Sequence, residues 1–84
     1  IATEALVHFL VMLKTQKYRK VVELAEGDTA LLREVIGLAN TLAAEHAGGD
    51  FRLVFNTGAA AGQTVFHVHA HVLGGGLEEK SVGA

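Results

Sequence analysis

Four patterned stretches divide the chain. Ala5 to Met12 (ALVHFLVM) is a nearly continuous apolar run, rich in β-branched and aromatic residues. It predicts a strand with both faces at least partly covered. Further on, Leu31, Leu32, Val35, Ile36, Leu38, Ala39, Leu42 and Ala43 recur at helical spacing and make a broad apolar stripe. Arg33, Glu34, Asn40 and Thr41 fall largely outside it, and Asn40 and His46 read as helix-surface residues. Asp28 is placed to cap this helix, because its carboxylate can accept from the free amides of the first turn. Gly48-Gly49 can supply the left-handed turn that ends it. Phe51 to Phe55 predicts a second strand, followed by a small-residue loop or tight turn over Ala59 to Gly62. Thr64 to Leu73 alternates strictly and predicts a third strand, ended by Gly74-Gly75-Gly76. The tail from Leu77 to Ala84 has no clear period and is expected to fray.

These elements make one small domain over residues 1–84, with no internal repeat or linker. A chain this short buries only about 60% of the surface it exposes when unfolded. A dimer or a bound partner would therefore stabilise it considerably. Seven Lys and Arg against nine Asp and Glu give no basic excess, so nucleic acid is not an expected partner. Lys14, Lys17, Arg19 and Lys20 share a short connector and read as a solvated loop or strand end. The chain has no Cys, which excludes disulfides and a thiolate zinc site and fits a cytoplasmic protein. The apolar segment from Leu6 to Leu13 is too short to span a bilayer. A start at Ile1, without a signal-peptide pattern, suggests a fragment or a processed chain.

The chemistry concentrates in His67-Val68-His69-Ala70-His71. Residues two apart on a strand share a face, so the three imidazoles are expected on one side. Phe66, Val68, Ala70 and Val72 are expected on the other side, against the helix. Each buried ring nitrogen needs a partner, so three aligned histidines are costly as core. Imidazole can act as a nucleophile or as a general acid and base near neutral pH. It can also bind metal, but same-face neighbours on a strand are about 6.5–7 Å apart, which suits two ligands better than three. Asn56, the small-residue loop and Gly62-Gln63-Thr64 lead directly into the histidines. Small residues let backbone amides approach phosphate oxygens closely, which favours phosphate over metal.

Phe66-His67-Val68-His69-Ala70-His71-Val72-Leu73 resembles the signature of the histidine triad (HIT) superfamily. The likeness extends through Arg52 to Gly58, Gly62-Gln63-Thr64 and Gly74-Gly75, and Val7-His8-Phe9-Leu10-Val11 resembles the strand that brings a further active-site histidine. It looks closest to the Hint-like branch, hydrolases of purine nucleoside phosphoramidates and related phosphate compounds. The resemblance implies an α+β fold: an antiparallel sheet with one long amphipathic helix packed on one face, shortened at the N-terminus. It implies His69 as the nucleophile and His71 as the group assisting the leaving group. His67 and His8 would orient the site. Asn56, Gln63, Thr64 and Gly62 would form the phosphate or nucleotide contacts. No metal or other cofactor is implied. The expected partners are a purine nucleotide or nucleoside phosphoramidate and a second copy, as a homodimer or domain-swapped oligomer.

The sequence departs from that pattern in three places. The family's preceding helix and strands, which supply much of the base pocket, have no counterpart in these 84 residues. Thr3, Leu6 and Leu13 stand near positions where relatives carry Pro, and Gln16 or Lys17 stands near a missing His. The tail Leu77-Glu78-Glu79-Lys80 lacks the aromatic, Pro-rich ending of many relatives. The phosphate end of the site is thus expected to survive better than the base end. The rival readings are a catalytically impaired or engineered remnant that binds nucleotide or anion, an oligomeric scaffold, and a metal-binding module.

Overall fold

The computed structural model describes residues 7–76. Ala5, Leu6 and the tail from Leu77, where the sequence predicts a strand start and a frayed end, lie outside the described residues. Strand β1 (Val7–Met12) pairs antiparallel with β3 (His69–Gly74), and β3 pairs antiparallel with β2 (Arg52–Val54). The sheet order is β1-β3-β2. The register sets Phe9 and Leu53 opposite Val72, and Val11 opposite Ala70. Directly opposed residues share a face, so these five side chains make one apolar surface.

Helix α2 (Thr29–His46) lies across that surface and buries Val35 and Ala39 against it. Ala39 and Ala70 are fully buried. With only a methyl group at these positions, helix and sheet can pack closely. The helix begins as the sequence predicts: the Asp28 carboxylate accepts from the Leu31 amide at 3.0 Å. It also ends as predicted. Gly48 (φ 72°) and Gly49 (φ 100°) turn left-handed, and the Gly49 amide donates to the Ala43 carbonyl at 3.0 Å.

The expected α+β architecture is present, with four differences. A second, shorter helix, α1 (Val21–Gly27), precedes α2 where the sequence pattern predicts none. Two turns are too few for a periodic stripe, but Leu24 anchors them by complete burial. The stripe on α2 is also only partly covered, because Ile36 and Leu38 remain 45% and 47% exposed. Strand β2 is shorter than Phe51 to Phe55.

The fourth difference bears on the site. The third strand does not run from Thr64 to Leu73 but from His69 to Gly74. Strand β1 ends opposite His69 and β2 ends opposite His71, so among the described residues no strand pairs with residues 64–68. Backbone groups there bond elsewhere, as the Val68 amide does to the Tyr18 carbonyl at 3.1 Å. Phe66 accordingly does not face the helix. It is 41% exposed, with the Arg19 guanidinium 5.7 Å from its ring centroid. At the far end Gly74 belongs to the strand. A Cβ there would stand 2.7 Å from the Ala47 Cβ and 3.0 Å from the Asp50 carbonyl oxygen.

Candidate active site

The second face of the sheet carries the histidines. The register places His69 opposite Met12, His71 opposite Leu10 and Val54, and Leu73 opposite His8 and Arg52. Opposed side chains share this face, which therefore mixes imidazoles with apolar groups. It is open: Leu10 and Met12 are each 52% exposed. His67, His69 and His71 are half-buried, whereas Val68, Ala70 and Val72 between them are buried. The alternation in burial thus reaches back to His67, although the strand does not.

His8 lies diagonally across from His71, and its Nε2 is 2.9 Å from the His71 Nδ1. One of these two nitrogens donates and the other accepts. The rings of His69 and His71 meet edge to face with centroids 5.4 Å apart. The His71 imidazole is held below its ordinary pKa, chiefly by burial and then by the neighbouring charges of His8 and His69. It resists becoming a cation.

His69 Nδ1 is 2.9 Å from the carbonyl oxygen of His67. A carbonyl can only accept, so Nδ1 must hold the proton. In the neutral ring, Nε2 then keeps its lone pair. His67 thus contributes its backbone to the arrangement, and its own Nδ1 is buried without a hydrogen-bond partner.

The loop residues singled out in the sequence form a neighbouring cluster. Gly58 (φ 90°) and Gly62 (φ 94°) bracket a short 3-10 turn over Ala59–Ala61. Asn56 Nδ2 donates across it to the Ala61 carbonyl at 3.0 Å. Thr64 is exposed, whereas Gln63 is 2% exposed and spends its amide inside the fold. The Gln63 Oε1 accepts from the Gly58 amide at 2.8 Å. Its Nε2 donates to the Arg19 carbonyl at 2.6 Å and to the Val65 carbonyl at 3.1 Å.

The fold therefore brings His8, His69 and His71 together and recruits His67 through its carbonyl. Asn56, Gly62, Gln63 and Thr64 gather on the loop: Asn56 bonds to Ala61, Gly62 to Ala59, and Gln63 to Gly58, Val65 and the connector. Sequence reasoning missed Leu10 and Met12, although both stand an even number of residues from His8, on its face. It also missed the backbone carbonyls of Tyr18 and Arg19, which leave no trace in residue type. Among the described residues, no group of three His, Asp or Glu side chains forms a candidate metal site. No described helix is long and apolar enough to cross a membrane.

A family model described as the HIT domain matches residues 1–77. The chain belongs to the HIT family. An uncharacterized HIT-like protein of Synechococcus elongatus is 40% identical over 76 residues, covering 89% of this chain and 66% of that protein. Another, from a Synechocystis strain, is 55% identical over 49 residues, covering 57% of this chain and 43% of the relative. The crystal structure of a HIT family hydrolase from Legionella pneumophila superposes with a TM-score of 0.76 at 33% identity. That match covers 84% of this chain and 64% of the hydrolase. The chain thus spans two thirds or less of the length of these HIT proteins, and its fold is that of a HIT family hydrolase.

Proposed function

We propose that the histidine face is the active site of a nucleotide-binding hydrolase or transferase. It acts at the α-phosphate of purine nucleoside phosphoramidates or related nucleotide conjugates. The observation that carries this reading is the contact of His69 Nδ1 with the His67 carbonyl, which calls for the proton on Nδ1 and leaves the Nε2 lone pair on an open face. In the proposed reaction, His69 Nε2 attacks the α-phosphorus and forms a P–N bond as the bond to the leaving group breaks. If His71 donates through Nδ1 to His8 Nε2, a protonated His71 carries its second proton on Nε2 and becomes a neutral imidazole when it gives that proton up. That proton passes to the departing amine or oxygen. Water then attacks the nucleotidyl-histidine, returns a proton to His71 and releases the nucleoside monophosphate. Asn56, Gly62 and Thr64 supply the phosphate contacts, and Leu10 and Met12 offer an apolar surface beside His71 and His69.

Exposed apolar groups also support self-association. Ile36 on α2 lines a shallow cavity with Leu32 and Phe51, which leads into β2, an outer strand of the described sheet. A homodimer through this helix and sheet edge is the assembly we propose.

Incubation with an adenosine phosphoramidate, comparing this chain with His69→Ala, tests the catalytic reading. Release of AMP by the parent chain alone is expected. Equal rates in both proteins would exclude the enzyme reading for this chain.

A further inference from the structure

Gln63 is the one buried polar side chain among the described residues, and its three hydrogen bonds use opposite chemistries. On one side it must accept, from the Gly58 amide. On the other it must donate twice, to the carbonyls of Arg19 and Val65. A primary amide offers both a carbonyl and two N–H groups. A carboxylate would set oxygen against two carbonyl oxygens, and an apolar side chain would take this partner from three backbone groups at once. Both donors are already committed, so Gln63 has no N–H left for a phosphate. What remains is a lone pair on Oε1, which an anion would avoid.

We infer that Gln63 is a positioning residue and not a phosphate ligand. It ties the loop from Asn56 to Gly62 to the Tyr18–Arg19 connector, which is 44 residues away in sequence. The connector is tied a second time, by the Val68 amide to the Tyr18 carbonyl, just before the histidine strand starts. Together the two ties set where the loop stands relative to His69. Arg19 closes the same junction from outside by lying over Phe66.

The kinetic half of this inference rests on the proposed function, and the structural half does not. Both are tested on the full chain with Gln63→Met and with Gln63→Asn, which keeps the amide but shortens its reach. In the ligand-free parent, the Gly58 amide is expected to exchange slowly with solvent. In Gln63→Met it should exchange at least about tenfold faster, while the β1–β3 and α2 amides keep their protection. With adenosine phosphoramidate, kcat should fall by about ten- to a hundredfold while KM changes by less than about threefold, since a misplaced loop weakens the transition state most. Should the Met variant not fold, the Asn variant must show the same two changes in smaller measure. A Gly58 amide that exchanges equally fast with and without Gln63 would overturn the inference. So would a KM raised about tenfold at unchanged kcat, which is the mark of a direct substrate contact. If the parent chain releases no AMP, the proposed function fails, and the Gly58 exchange still decides the structural role.

Discussion

The two faces of the sheet share one backbone and differ in almost everything else. One presents Phe9, Val11, Leu53, Ala70 and Val72 to α2, with Val11, Ala70 and Val72 buried. The other presents His8, His69 and His71 beside half-exposed Leu10 and Met12. The strand period of two separates them, so adjacent residues of β3 serve opposite ends. Val72 and Ala70 hold the domain together, while His69 and His71 stand where a reactant can reach them. Removing a side chain from one face should therefore leave the property of the other nearly intact.

His69→Ala gives the largest expected effect. Phosphoramidate hydrolysis should fall about ten-thousandfold or more, as for other nucleophiles, while the urea midpoint stays close to that of the parent. A variant that lost both together would break the separation of the faces. Gly74→Ala should do the reverse. Its methyl group would meet the Ala47 Cβ at 2.7 Å and the Asp50 carbonyl oxygen at 3.0 Å. Such overpacking costs about 1–3 kcal/mol, measurable by urea unfolding. Asp28→Ala removes the cap of the covering helix and should cost about 1 kcal/mol by the same assay.

A smaller effect belongs to pH. His71 is held below its ordinary pKa, so the unfolded chain binds a proton that the folded chain resists. More protons on the unfolded state mean that stability rises with pH. The contribution is present above the unfolded value of about 6.5 and declines as pH falls below it. His71→Gln should flatten this part of a stability profile between pH 7.5 and 5.5, chosen to straddle that value of about 6.5. Leu10→Ser is the mildest change, within about 0.5 kcal/mol, because the side chain is half in water already. A larger loss would show that the open face is covered in solution.

Much of this arrangement was legible in the chain. The Asp28 cap, the Gly48-Gly49 turn and the burial of Val68, Ala70 and Val72 all follow from local rules with short reach. The extent of the third strand did not. Thr64, Val65 and Phe66 are all strand-favouring residue types, and nothing in them says that β1 stops opposite His69. Helix α1 was invisible for a related reason, since a two-turn helix anchored on Leu24 has too few residues to show a period. Within the site, the three histidines announced themselves by spacing. Gln63 was visible as a polar residue beside a Gly-rich loop, and its sequence context suggested a phosphate contact. Its partners at Gly58, Arg19 and Val65 are backbone atoms, so their positions had to be seen.

By itself, the sequence determined which residues share a face, because side-chain direction in a strand is fixed by the peptide geometry of neighbouring residues. It also determined the family, since the alternation of His with small apolar residues is specific. Tertiary structure decided how far each strand runs, which nitrogen of His69 holds the proton and which way Gln63 turns its amide. Each of those depends on where the folded backbone sets a carbonyl or an amide, near in sequence for His69 and 44 residues away for the Gln63 bond to Arg19. Such groups are identical in every residue and carry no sequence signal until the chain has folded around them.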